Sequence, residues 1–75
     1  MDLSKLVEGE KARIINCNNY RLMEYGFVEN TPLTIYRKVN GVTAIYLKRT
    51  IIACRNSDLK DVYIEKFVKK MDNLK

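Results

Sequence analysis

Leu33-Thr34-Ile35-Tyr36-Arg37-Lys38-Val39-Asn40-Gly41-Val42-Thr43-Ala44-Ile45-Tyr46-Leu47-Lys48 is the stretch whose reading decides the fold. Leu33, Ile35 and Val39 alternate with Thr34, Tyr36 and Lys38, the period of a strand with one buried face, and Arg37 is the exception among the inward, odd positions. Asn40-Gly41, set between Val39 and Val42, is the strongest local signal in the chain. Both residues tolerate positive φ, which a two-residue type I′ hairpin turn requires. The return strand is expected over Thr43 to Lys48, with Tyr36 and Tyr46 as a cross-strand pair on the outer face beside solvated lysines.

Working outward, the polar Lys48-Arg49-Thr50 precedes another strand-like run, Ile51 to Arg55. Asn56-Ser57-Asp58 starts a turn, a last strand is expected from Val62 to Val68, and Lys69 to Lys75 reads as a frayed tail. Toward the N-terminus, Asp2-Leu3-Ser4-Lys5-Leu6 reads as a short capped turn, with Leu3 and Leu6 at i,i+3 spacing. Gly9 opens a first strand, Glu10 to Cys17, in which Lys11 and Arg13 alternate with Ala12 and Ile14. Asn18-Asn19 offer a helix N-cap, since an asparagine oxygen accepts from the orphan amides of a first turn. Tyr20 to Tyr25 is then a helix of about two turns, closed by Gly26 in the left-handed conformation of a helix C-terminus. The expected fold is all-β: a small SH3-like or OB-like barrel of about five strands, with one short helix between strands 1 and 2, in a single domain over 1–75. So many short strands must close or fold over to bury a face.

The composition removes most chemistry. The chain has 75 residues, 47% of them apolar and 31% charged, so it is an ordered domain with a thin core and little room for a deep cleft. No apolar run approaches the ~20 residues of a membrane-spanning helix. Met1-Asp2-Leu3-Ser4-Lys5 has neither the basic region nor the apolar stretch of a secretory signal, so a cytoplasmic location is expected. There is no histidine, hence no ready general base near neutral pH, no Ser/His/Asp or Cys/His arrangement and no imidazole for a zinc site. Cys17 and Cys54 stand in different strands and read as small buried hydrophobes. Asp58 and Asp61, the closest acidic pair in a loop, read as turn and cap residues, and Gly9, Gly26 and Gly41 are too far apart for a phosphate loop. The expectation is no enzyme, no cofactor and no resident metal.

Binding remains. A net charge of +5 suits nucleic acid, an anionic membrane surface or an acidic protein. Tyr36, Arg37, Lys38, Tyr46, Lys48 and Arg49 lie on or near one hairpin, where aromatics beside basic residues could stack on a single strand of nucleic acid. The helix offers the competing surface. Leu22 and Met23 are adjacent and cannot both face the core, so one of them, with Tyr20, Tyr25 or Phe27, stays accessible as an apolar patch for a partner.

The order and spacing of these pieces resemble the ferrous iron transport protein A (FeoA) family. Leu3-x-x-Leu6-x-x-Gly9-x-x-Ala12-x-Ile14 is similar to the family's opening. Arg21-Leu22-Met23-Glu24-Tyr25-Gly26-Phe27 resembles its Arg-Leu-x-x-Gly-Leu-x-x-Gly segment, Ile52-Ala53-Cys54-Arg55 its Ile-Ala-Leu-Arg stretch, and Val62-Tyr63-Ile64 its closing strand. The chain departs from the pattern in having Glu29-Asn30 where the family often has Pro-Gly, and Arg49 where many members have glycine. The resemblance implies an SH3-like barrel that assists the membrane GTPase transporter FeoB from the cytoplasm, which would make the chain peripheral to the membrane through that partner. As separate expectations, the chain should bind no specific nucleic acid and at most self-associate weakly. The same fold occurs as the C-terminal domain of iron-dependent repressors, of which this chain would be a free-standing relative. Because the helix and its exit combine apolar residues with Arg21 and Glu24, and the resemblance is also densest there, the expected partner-binding residues are Tyr20, Arg21, Leu22, Met23, Glu24, Tyr25 and Phe27.

Overall fold

The computed structural model describes residues 1–67; the expected tail, Lys69 to Lys75, and Val68 at the end of the last expected strand lie outside them. After a 3-10 turn at Leu3–Lys5 come β1 (Lys11–Cys17), α1 (Tyr20–Glu24), β2 (Pro32–Val39), β3 (Val42–Leu47), β4 (Thr50–Arg55), α2 (Asn56–Leu59) and β5 (Val62–Lys66). The five strands form one antiparallel sheet in the order β4-β3-β2-β1-β5. It curls around a single core as a small SH3-like barrel. A one-turn helix, α2, stands where the sequence suggests only a turn, and it carries the chain from the β4 edge to the β5 edge.

The hairpin signal reads correctly. Asn40 and Gly41 take φ of 44° and 81°, and Val39 pairs with Val42 across them. The β3–β4 connection repeats this geometry without glycine: Lys48 and Arg49 take φ of 49° and 67° between the paired Leu47 and Thr50. Asn30, in place of the family's glycine, is also left-handed at φ 71°, a conformation asparagine tolerates better than most residues.

Two expectations for β2 need correction, and one bulge explains both. The register shifts between Ile35 and Arg37, so that Ile35 opposes Ile45 and Arg37 opposes Ala44. An extra residue reverses the in/out alternation beyond it. Leu33 and Ile35 are buried as expected, but Val39 faces out and is 51% exposed. Tyr36 occupies the bulge, and Tyr46 opposes Thr34, so the two tyrosines are not a cross-strand pair. A second irregularity, with Ile15 as the extra residue between Ile14 and Asn16 of β1, turns Asn16 outward and puts Cys17 in the core.

The core joins Leu3 and Leu6 to Ala12 and Ile14 of β1, Leu33 and Ile35 of β2, Ile45 and Leu47 of β3, Leu59 of α2, and Val62 and Ile64 of β5, with Leu22 and Phe27 from the α1 segment. Each fully buried Leu, Ile or Phe contributes roughly 1.5–3 kcal/mol relative to exposure, which makes this cluster the dominant favourable term. Among the described residues the one fully buried polar side chain, Thr43, donates its hydroxyl to Asn56 Oδ1 at 2.7 Å, so its burial leaves no unmet hydrogen bond. Two surface ion pairs, Arg13–Glu65 and Lys66–Glu10, cross the β1–β5 seam; solvent screens such pairs, and they add little to stability.

Candidate partner-binding site

Five residues cannot sustain a helix by propensity alone, so α1 exists because both its ends are built. At the start, Asn19 Oδ1 accepts from the Leu22 N–H at 3.1 Å, and Asn19 Nδ2 donates to Asp61 Oδ2 at 3.1 Å. The Asn18 N–H donates to the Asp61 carbonyl at 2.8 Å. At the exit, the Gly26 N–H donates to the Met23 carbonyl and the Phe27 N–H to the Leu22 carbonyl, at 3.0 and 3.1 Å. This is the Schellman arrangement, with Gly26 at φ 107° as its left-handed residue and Leu22 against Phe27 as its hydrophobic closure.

That closure divides the seven expected site residues. Leu22 is 3% and Phe27 0% exposed; both are core residues and neither offers a surface to a partner, which corrects the sequence expectation for them. The physical reason is the glycine turn, which folds the residue after Gly26 back under the helix. The structure brings the other five together on the outside. Tyr20 is 84%, Tyr25 54% and Met23 38% exposed, and Arg21 and Glu24 are exposed beside them. The result is three apolar or aromatic side chains interleaved with one positive and one negative charge.

Sequence reasoning missed three contributors. Cys17 and Asn18 join Tyr20 and Met23 in lining a shallow groove of about 210 Å³. Lys48, from the β3–β4 turn, lays its stem over the helix exit: a Cβ on Gly26 would stand 3.1 Å from Lys48 Cδ. No signal near α1 could have shown that contact, because it depends on how the β3–β4 turn reaches α1 in three dimensions.

The groove has little reactive chemistry. Burial pushes the Cys17 thiol up from its ordinary range and the Cys54 thiol up to about 11, so both are protonated at neutral pH, whereas a metal takes a thiolate. Among the described residues no three Cys, Asp or Glu side chains come together in a way that could hold a metal ion. No described helix is long and apolar enough to cross a membrane.

The FeoA domain model matches residues 1–66. No curated protein sequence matches the chain. Among solved structures, an FeoA-like protein from Clostridium acetobutylicum superposes with a TM-score of 0.85 at 20% identity, covering 97% of this chain and 93% of that one. An FeoA protein from Chlorobium tepidum superposes with a TM-score of 0.84 at 18% identity, covering 96% and 75%. An iron uptake regulatory protein (FeoA) gives a TM-score of 0.80 at 20% identity, covering 89% and 96%. At these identities the superpositions speak for the fold, a five-stranded barrel of the same kind, and the domain match, which spans all but the last residues, speaks for descent. The chain belongs to the FeoA family.

Proposed function

We propose that this protein is a non-enzymatic accessory component of ferrous iron uptake, resident in the cytoplasm, that docks on the membrane GTPase transporter FeoB through the exposed face of α1. Family membership supports the part in ferrous iron transport. The observation that carries the docking surface is the split within α1: a helix fixed at both ends and anchored by Leu22 still holds Tyr20, Met23 and Tyr25 in solvent. Apolar anchors ringed by charges give a small interface both affinity and register, and holding them rigid removes part of the ordering cost of association.

The test is Met23→Glu against Leu22→Ala, with folding read by circular dichroism and binding by pull-down of the FeoB cytoplasmic region. Met23→Glu should fold as the parent does and lose most of the pull-down, with slower growth on ferrous iron as the sole iron source. Normal capture of FeoB by a folded Met23→Glu protein would remove α1 as the docking surface. Anaerobic calorimetry with Fe²⁺ supplies a second arm, in which tight binding by the isolated protein would favour a carrier over an adaptor.

A further inference from the structure

We infer that the free edge of β4 is a second docking site, one that takes an extended acidic segment of a protein partner as an added strand. The inference does not depend on the α1 reading.

The first observation is the edge itself. β4 ends the sheet. In a two-residue hairpin the residues flanking the turn exchange hydrogen bonds, and pairs alternate from there. Leu47↔Thr50 flanks the Lys48-Arg49 turn, so Thr50, Ile52 and Cys54 aim their N–H and C=O groups at β3. Ile51, Ala53 and Arg55 aim theirs away from it. The Asn56 N–H donating to the Gly41 carbonyl at 2.9 Å keeps the same phase. Among the described residues nothing bonds to the N–H groups of Ile51, Ala53 and Arg55 or to the carbonyls of Ile51 and Ala53, while the Arg55 carbonyl, at the N-cap of α2, takes that helix's first bond. An unpaired row of this kind is a template for another strand.

The second observation is charge. Between Asn30 and Ser57 the chain has five basic residues (Arg37, Lys38, Lys48, Arg49 and Arg55) and no acidic one; the other nine basic and nine acidic residues cancel. The whole net charge of +5 therefore sits on β2, β3, β4 and their turns. Glu8 approaches this region, but it accepts from the Lys38 backbone N–H at 2.7 Å. Arg37, Lys48, Arg49 and Arg55 are exposed, and none of them forms an ion pair among the described residues.

The third is an apolar row beside the edge. Tyr46 lies opposite Ile51, Ala44 opposite Ala53 and Val42 opposite Arg55, and Tyr46, Ile51 and Val42 are 44%, 49% and 41% exposed.

Together these features select the occupant. A peptide backbone offers alternating donors and acceptors that match the edge, whereas a nucleic-acid backbone offers phosphate acceptors and would leave the outward Ile51 and Ala53 carbonyls unmet. A second copy of this chain would bring one basic edge against another, and residues 68–75, with three lysines and one aspartate, share the edge's sign. An extended segment alternating acidic and apolar residues meets the ladder, the apolar row and the arginines at once.

The test uses the full ¹⁵N-labelled chain and a synthetic eight-residue peptide alternating Glu and Val. Controls are the same peptide with Pro for every Val, and a twelve-nucleotide oligothymidylate. The Ile51, Ala53 and Arg55 amides should shift and exchange at least tenfold more slowly with the Glu/Val peptide and not with the proline control. Binding should weaken about tenfold between 50 and 200 mM salt, the dependence of a charge-assisted contact, and about fivefold or more in Arg55→Glu. Met23→Glu should bind the peptide as the parent does, so failure of the α1 reading and of this one would be told apart. The inference is overturned if the proline control binds equally, if oligothymidylate binds the same amides more tightly, or if the three amides are already protected or shift on dilution without peptide.

Discussion

Leu22 and Met23 are neighbours in sequence with opposite fates, and the contrast is measurable. Truncation of Leu22 to alanine removes the closure on Phe27 and should cost about 2–5 kcal/mol in urea unfolding, enough to unfold much of so small a domain. Met23→Glu should change stability by less than about 1 kcal/mol. At Gly26 two penalties coincide, a φ of 107° and a Lys48 stem 3.1 Å from the added Cβ, and Gly26→Ala should cost at least ~1 kcal/mol. That one of Leu22 and Met23 must be exposed was legible in the sequence, because adjacent helical residues point in different directions. Which one was not, since the answer lies in the turn after Gly26. The same turn removed Phe27 from the candidate site.

The two tight turns of the meander make a natural comparison at the level of elements. Asn40-Gly41 was legible because glycine and asparagine are the residues that positive φ favours. Lys48-Arg49 adopts the same conformation with residues that resist it, so nothing local announced a second turn of this type. The double replacement Lys48→Asn with Arg49→Gly should stabilise the protein by about 1 kcal/mol, the order of the left-handed penalty removed. Gly41→Val should destabilise it by about 1 kcal/mol or more; an unchanged melting temperature in either variant would contradict the turn geometry. The bulge at Tyr36 was hidden for a different reason. Alternation fixes which residues share a face only while the count is unbroken, and Arg37, the residue that violated the pattern, was its only trace. A strongly basic strand pair was visible as composition, but that its edge is open depends on the strand order β4-β3-β2-β1-β5.

The molecule as a whole keeps both thiols protonated and inside. The Cys54 thiol, held by burial at about 11 against an ordinary 9.0, favours its protonated form in the folded state. Its contribution to stability is therefore complete below pH 9.0 and is lost as the pH rises through about 11. Cys54→Ala should flatten the alkaline fall in melting temperature, read between pH 8 and pH 11, and the parent's Cys54 thiol should react with a thiol reagent at pH 7.5 mainly by way of the unfolded state. The strand order has a kinetic consequence as well. The β2–β3 and β3–β4 pairings close loops of two residues at their turns, while β1 meets β5 through Ala12↔Lys66 to Cys17↔Val62, across most of the described length. Loop closure of that span is entropically costly and slows folding, so the meander should belong to the folding nucleus and the β1–β5 seam should zip late. In stopped-flow chevrons Gly41→Val should act chiefly on the refolding arm and Val62→Ala on the unfolding arm. The meander that carries the charge and the open edge is thus expected to exist before the barrel does, and a nascent chain would present it first.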